Sequence, residues 1–334
     1  MKKVLYFLAA SAATLCTIAC NKDLNQNVPV QGQEQLEEGQ KCEITVGIAG
    51  TPLTKATGST AEDEVAVKML QIFVFRGDAL DAYGKIANKD SLKLSCTAGQ
   101  RTIYALVNDV DRSSIKTKTE LLAAVSNYSN TLEGGFAMIG STDKTLPQTG
   151  KITVEVNRLA SRVIINKITR NFTSAALASM EFKILKIWLQ NVAADINFGL
   201  NMAPTTWLNK MNLDAETNKY LSGAPGAIVA NGSAYEKPNT FFCYPNPTAD
   251  DSSDSNWCAR HTRLVVKAQI GDDTYYYPIT LPVLEPNKSY EITNLTLTRP
   301  GSDNPDVPVT FQDCTFDINI KPWTVVPVTE GLTI

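Results

Sequence analysis

Histidine is almost missing: His261 is the only one in 334 residues. A zinc hydrolase site built on two or three histidines is excluded by that count. His261 lies in CARHTRL, between Arg260 and Arg263 and with no carboxylate beside it to orient the ring, and reads as a surface residue. Charge is sparse as well. Thirty-one Lys and Arg nearly balance 34 Asp and Glu, so the basic face that nucleic acid demands is not indicated. Neither a G-x-S-x-G nucleophile elbow nor a G-x-x-x-x-G-K-[ST] phosphate loop occurs. Asp250, Ser252, Asp254 and Asn256 are spaced like the opening of a calcium loop. Ser255 stands where that loop needs glycine, however, and His261 where it needs a bidentate glutamate. The chain therefore reads as a non-enzyme without cofactor or metal. Past the N-terminus no apolar run is long enough to span a bilayer.

What is present begins with MKKVLYFLAASAATLCTIAC. Lys2 and Lys3 form a positive start and Val4 to Leu15 a short apolar run, the pattern of an export signal over residues 1–20. Thr17-Ile18-Ala19-Cys20 resembles a bacterial lipobox, with Thr17 where leucine is usual. Cys20 is thus the expected lipidation site, and its acyl chain the expected membrane tether. The alternative is plain secretion.

Seven cysteines reduce quickly on this reading. Cys16 leaves with the signal, Cys20 carries lipid, and Cys42 falls in an expected propeptide. Cys96, Cys243, Cys258 and Cys314 remain, with three possible pairings. Cys243 and Cys258 flank the polar stretch YPNPTADDSSDSNW and are the best local pair for an oxidising compartment. Free buried thiols are the alternative.

Residues 21–41 are Gln-, Glu- and Asn-rich and read as a tether. Ile44, Val46 and Ile48 then alternate with Thr45 and Gly47, the period of a half-buried strand. A small, polar loop carrying Lys55 comes next. Further strands are expected at Val65–Phe75, around Leu92 and Leu94, in RTIYALVN and at Lys151–Val156. KTKTELLAAVSNY, with Leu121, Leu122 and Val125 on one face, predicts a helix over 116–128. FKILKIWLQNV, the hairpin RLVVKAQI-GDD-TYYYPITLPVL, SYEITNLTLT and CTFDINI supply the strands of a second block. Residues 197–262 show little regular pattern and read as surface loops. Many short strands between turns predict an all-β fold of two tandem sandwiches, with a short helix in the first. Tyr275 to Tyr277 read as one strand with alternating buried and exposed rings, or alternatively as a sugar-stacking platform.

Taken together, CNKD, VAVKMLQIFVFRGD, LSCTAGQRTIYALVN, RLASRVIINKI, YEITNLTLTRPGSDNPDVPV and DINIKPWTVV resemble the major fimbrillin (FimA/Mfa-like) subunits of the type V pili of Bacteroidia. C-x-A-G-Q-R-T and G-x-x-N-P are the most specific pieces. The resemblance implies two transthyretin-like β-sandwich domains and a lipoprotein precursor. It also implies a trypsin-like surface protease that removes the first strand, and a groove that accepts the C-terminal segment of another subunit. The matching junction here is Lys55-Ala56. The implied layout is a tether and propeptide over 21–55, sandwiches over 56–156 and 157–322, and a donor segment over 323–334. Ile44, Val46 and Ile48 would be the propeptide strand, and Trp323, Val325, Val326, Val328 and Leu332 the donor. The resemblance implies a stalk subunit, anchored in the outer membrane as a precursor and then part of an extracellular fimbrium. It would polymerise head-to-tail with itself, join tip and anchor subunits, and support adhesion to host or bacterial surface receptors and biofilm formation. The alternatives are a tip or anchor subunit, or a monomeric glycan-binding lipoprotein.

Overall fold

Apolar residues at every second position dictate the first sheet, and an unbroken apolar run dictates the second. A computed structural model describes residues 36–49, 66–129, 135–210, 221–248, 250, 257–307 and 313–323, and its strands and helices belong to the unit Glu37–Ile334. The first strands are β1 (Lys41–Ala49), β2 (Met69–Arg76), β3 (Ala79–Ala87), β4 (Ser91–Thr97) and β5 (Gly99–Val107). Helix α1 (Lys118–Ala123) comes next, then β6 (Val125–Asn127), β7 (Met138–Leu146), β8 (Lys151–Glu155) and β9 (Asn157–Arg158). One sheet has the order β4-β1-β8, the other β3-β2-β5-β7-β9. In the first, Ile44, Val46, Leu92, Leu94, Ile152 and Val154 are buried, while Glu43, Lys93, Ser95 and Thr153 between them are exposed. This is a sheet with one dry face and one wet face. β2 is buried on both faces: Leu70, Ile72 and Val74 alternate with Gln71, Phe73 and Phe75, all fully buried.

The expected helix over 116–128 is shorter than its apolar spacing suggests. Thr117 and Glu120 form a reciprocal capping box at its start. It stops at Ala123 because Val125–Asn127 pairs antiparallel with Asp195–Asn197. Backbone hydrogen bonds to a distant strand outweigh the local helical preference there.

From Ser161 onward the strands build other sheets. One runs Asn239–Cys243, Ser161–Ile165, Lys288–Ile292, Ile318–Pro322; another runs Ser222–Gly223, Phe182–Gln190, Arg263–Ile270, Asp273–Thr280. A third places Ile168–Arg170 between Ala234–Tyr235 and Leu295–Leu297. Among the described residues the only other helix is α2 (Ala175–Ser179), so the molecule is an all-β sandwich fold. The expectation of surface loops over 197–262 needs correction. Asn239–Cys243 is a core strand, and Phe241, Phe242, Cys243 and Tyr244 are buried. Its apolar run FFCY is the signal.

The two sets of sheets share one continuous buried cluster. The Tyr128 hydroxyl donates to the Phe242 carbonyl at 2.6 Å, and Ser126 and Tyr244 share a hydroxyl–hydroxyl bond of 2.9 Å. Phe73 and Phe75 enter the cluster from β2.

Candidate functional site

β1 is the middle strand of its sheet, and that position makes it the candidate site. Along Lys41–Gly47 it runs antiparallel to β4, and along Thr45–Ala49 parallel to β8. The ladders continue past the strand ends: Ile48 N–H donates to the Asp90 carbonyl at 3.0 Å, and Val156 N–H to the Ala49 carbonyl at 3.0 Å. Cys42, Ile44, Val46 and Ile48 point into the sandwich and are buried. Among the described residues none of these four belongs to the large cluster that joins the two sets of sheets. Chemically the arrangement is a slot. Without β1, β4 and β8 each keep a row of unpaired backbone groups, above an apolar trough that any strand of matching pattern fills. Burying four such side chains contributes about 6–12 kcal/mol before ordering costs. The ion pair between Lys93 and Glu43 adds little, both side chains being well over half exposed.

The motif C-x-A-G-Q-R-T forms the corner beside the slot. Gly99 has φ +111°, a conformation open to glycine. Arg101 turns inward there and is 2% exposed. Its guanidinium donates to Asp81 Oδ2 at 2.9 Å, to the Ala98 carbonyl at 2.7 Å and to the Gln100 carbonyl at 2.7 Å. Asp81 also accepts from the Thr97 amide at 2.9 Å and the Thr97 hydroxyl at 2.8 Å. Burial by itself would raise the Asp81 pKa. The Thr97 amide, Arg101 and the Thr97 hydroxyl together outweigh it and hold the carboxyl below its usual range. The other motif, G-x-x-N-P, docks a loop on Asp273–Thr280. Ser302 and Tyr276 exchange backbone bonds of 2.7 and 2.9 Å. A Cβ on Gly301 would lie 2.2 Å from the Tyr276 carbonyl oxygen, so only glycine fits.

At the other end of the chain lies Trp323, the first residue of the expected donor segment. It belongs to this chain's own core and is 2% exposed. Its ring lies 5.4 Å from Phe242, nearly parallel, and 5.3 Å from Phe136, edge-on. The guanidinium of Arg162 lies 5.4 Å over it. Its amide donates to the Asn287 carbonyl at 2.9 Å. Pro322 ends the edge strand Ile318–Pro322, where a missing N–H is tolerated.

Other expected site residues divide cleanly. Cys20, Lys55, Ala56, Val325, Val326, Val328 and Leu332, and the acidic loop over 251–256, lie outside the described residues. The Cys243–Cys258 pairing is not formed: both are free thiols. Cys243 is fully buried, and burial pushes its thiol up to about 12. Cys258 instead receives the Arg260 Nε–H at 3.5 Å and sits 3.7 Å from Asp250. Among the described residues the two cysteines that do meet are Cys42 and Cys96, with Sγ atoms 3.6 Å apart. Their shared inward parity is the signal the sequence carries; the pairing of β1 with β4 is not visible in it. His261 is half-buried rather than at the surface. Tyr277 is fully buried, with its hydroxyl donating to the Arg299 carbonyl at 2.8 Å. Tyr275 to Tyr277 therefore present no three-ring platform.

Comparison with known proteins points in one direction. Residues 41–184 match the family model described as "Major fimbrial subunit protein (FimA)". That match starts at the first residue of β1. The major fimbrium subunit FimC of Porphyromonas gingivalis is 24% identical over 354 aligned residues, which cover 96% of this chain and 70% of that protein. The type-2 major fimbrium subunit FimA of Porphyromonas gingivalis is 24% identical over 380, covering 93% and 94%. A crystal structure of a fimbrilin from Porphyromonas gingivalis W83 superposes with a TM-score of 0.59 at 14% identity, over 85% of this chain and 98% of the other. At that identity the likeness speaks for the fold.

Proposed function

We propose that the chain is a member of the FimA family of major fimbrial subunits and the stalk subunit of a cell-surface fimbrium that polymerises by exchanging β1 for a segment of another copy. The observation that carries this reading is the place of β1: a middle strand, pairing on both sides, over a trough separate from the main core. Its loss opens a complete strand-shaped site, where loss of an edge strand would open only one ladder. Export as a lipoprotein through Cys20 and a cut at Lys55-Ala56 complete the scheme. While β1 fills the slot the precursor is a monomer; after the cut it accepts the residues beyond Trp323, with Val325, Val326, Val328 and Leu332 as the apolar set. The contact is head-to-tail and does not close on itself, so it propagates. Tip and anchor subunits and surface receptors are the partners this role calls for. The test is to treat purified precursor with a trypsin-like protease and monitor it by electron microscopy and N-terminal sequencing. Filaments whose subunits start near Ala56 are expected. Fully cut protein that stays monomeric, or filaments that retain β1, would count against exchange.

A further inference from the structure

β1 and β4 contain one cysteine each, and the register sets them directly opposite one another, Cys42 against Cys96. Both side chains are on the inward face, 8% and 4% exposed, with Sγ atoms 3.6 Å apart. Directly opposed residues of an antiparallel pair have Cα atoms about 4.5–5.5 Å apart. That span lies inside the roughly 4.4–6.8 Å that a disulfide bridges. The backbone therefore needs no rearrangement for a bond to form, and the two Cβ atoms already point the same way.

We propose that Cys42 and Cys96 are a disulfide-forming site, and that the bond ties β1 to β4 so that cutting the chain after β1 does not by itself release the strand. Two S–H bonds break and one S–S bond forms. The two electrons and two protons pass to an oxidised thiol–disulfide exchange protein, whose own disulfide becomes a dithiol. Release is the reverse, with a dithiol protein as electron donor. The bond stands on the register alone. Its consequence for release rests on the reading that β1 is the exchanged strand.

The surroundings decide when the reaction runs. Burial, and then the contact with Cys42, pushes the Cys96 thiol up to about 12. A closed seam thus holds the Cys96 sulfur away from the reactive thiolate. Exchange belongs to moments when the seam is open, namely during folding or while β1 is being displaced. Arg101 and Asp81, whose charges act on Cys96 in opposite directions, are already engaged with each other, with Thr97 and with the corner carbonyls.

The test uses the full-length chain. Free thiols are blocked at lysis, and peptides are mapped by mass spectrometry before and after treatment with diamide. The expected result is a linked peptide pair containing Cys42 and Cys96. Complete alkylation of both after diamide overturns the proposal. Limited cleavage by a trypsin-like protease is then carried out with and without dithiothreitol. The cut β1 fragment should stay with the body on a denaturing non-reducing gel and leave only after reduction. Polymers should appear only in the reduced arm, and Cys42→Ser should polymerise without reductant. If that variant does not fold, Cys96→Ser and the reductant arm carry the same test. A linked pair whose reduced, cut form never polymerises upholds the bond and sinks strand exchange. Absence of the pair, with polymers in both arms, upholds strand exchange and sinks the bond.

Discussion

The guanidinium of Arg158 lies 4.6 Å over the ring centroid of Trp323. The end of β9 is thereby joined to the last described residue of the chain, and Phe136 and Phe242 close the box from either set of sheets. Trp323 is a clasp at the boundary of the described residues.

Two changes at this boundary should behave oppositely. Trp323→Ala empties a dry aromatic site and should cost about 3–5 kcal/mol, read as a lower denaturant midpoint. Deleting 324–334 should leave the midpoint near that of the full chain while abolishing polymers. A deletion that unfolds as easily as Trp323→Ala would assign the tail to the fold and not to exchange.

The Asp81–Arg101 pair predicts a sensitivity to acid. Asp81→Ala leaves a buried guanidinium without its carboxylate and should cost about 3–5 kcal/mol. The folded pKa of Asp81 is lowered from 3.8. Its contribution is therefore fully present above about pH 4 and is lost as pH falls through the folded value. Urea unfolding between pH 7 and 2 should show that acid limb in the parent and a shallower one in Asp81→Asn. Equal slopes would mean that Asp81 is not the titrating group.

Lys55→Ala should give a precursor that resists processing and stays monomeric, because β1 keeps its slot. Size-exclusion chromatography after protease treatment reads this directly. A variant that is cut elsewhere in the connection to β2 and still polymerises would move the processing site without touching the slot.

Cys20→Ala should release the precursor from the membrane fraction or stall its processing. Intact mass would show the loss of acyl chains. Unchanged fractionation of the variant would remove Cys20 as the anchor.

Alternation tells which face of a strand is dry but not which strand lies beside it. Ile44, Val46 and Ile48 therefore announce their burial, while the placing of β1 between β4 and β8 depends on contacts far apart in sequence. Arg101 is harder still: a charged residue in a strand reads as exposed, and only Asp81, twenty residues earlier, makes its burial tolerable. The core of the second half is legible where it runs apolar, as in Phe182–Gln190. It is hidden at Asn239–Cys243, where turn-rich flanks mask a five-residue strand. Trp323 comes after Pro322, which reads as a break; its partners at 136 and 242 cannot be seen from the tail. The helix over 118–123 is visible in its apolar spacing, yet its end is set by Asp195–Asn197, a strand with no local signal.

The direction of β1 has a mechanical consequence. It spans nine residues, Lys41–Ala49, or about 30 Å at the usual rise. A strand that takes its place, paired on both flanks and pulled along its own axis, is loaded in shear. Many ladder bonds must then yield together, whereas a strand peeled from an edge surrenders them one at a time. A thread of such links would resist drag by geometry more than by the strength of any single contact.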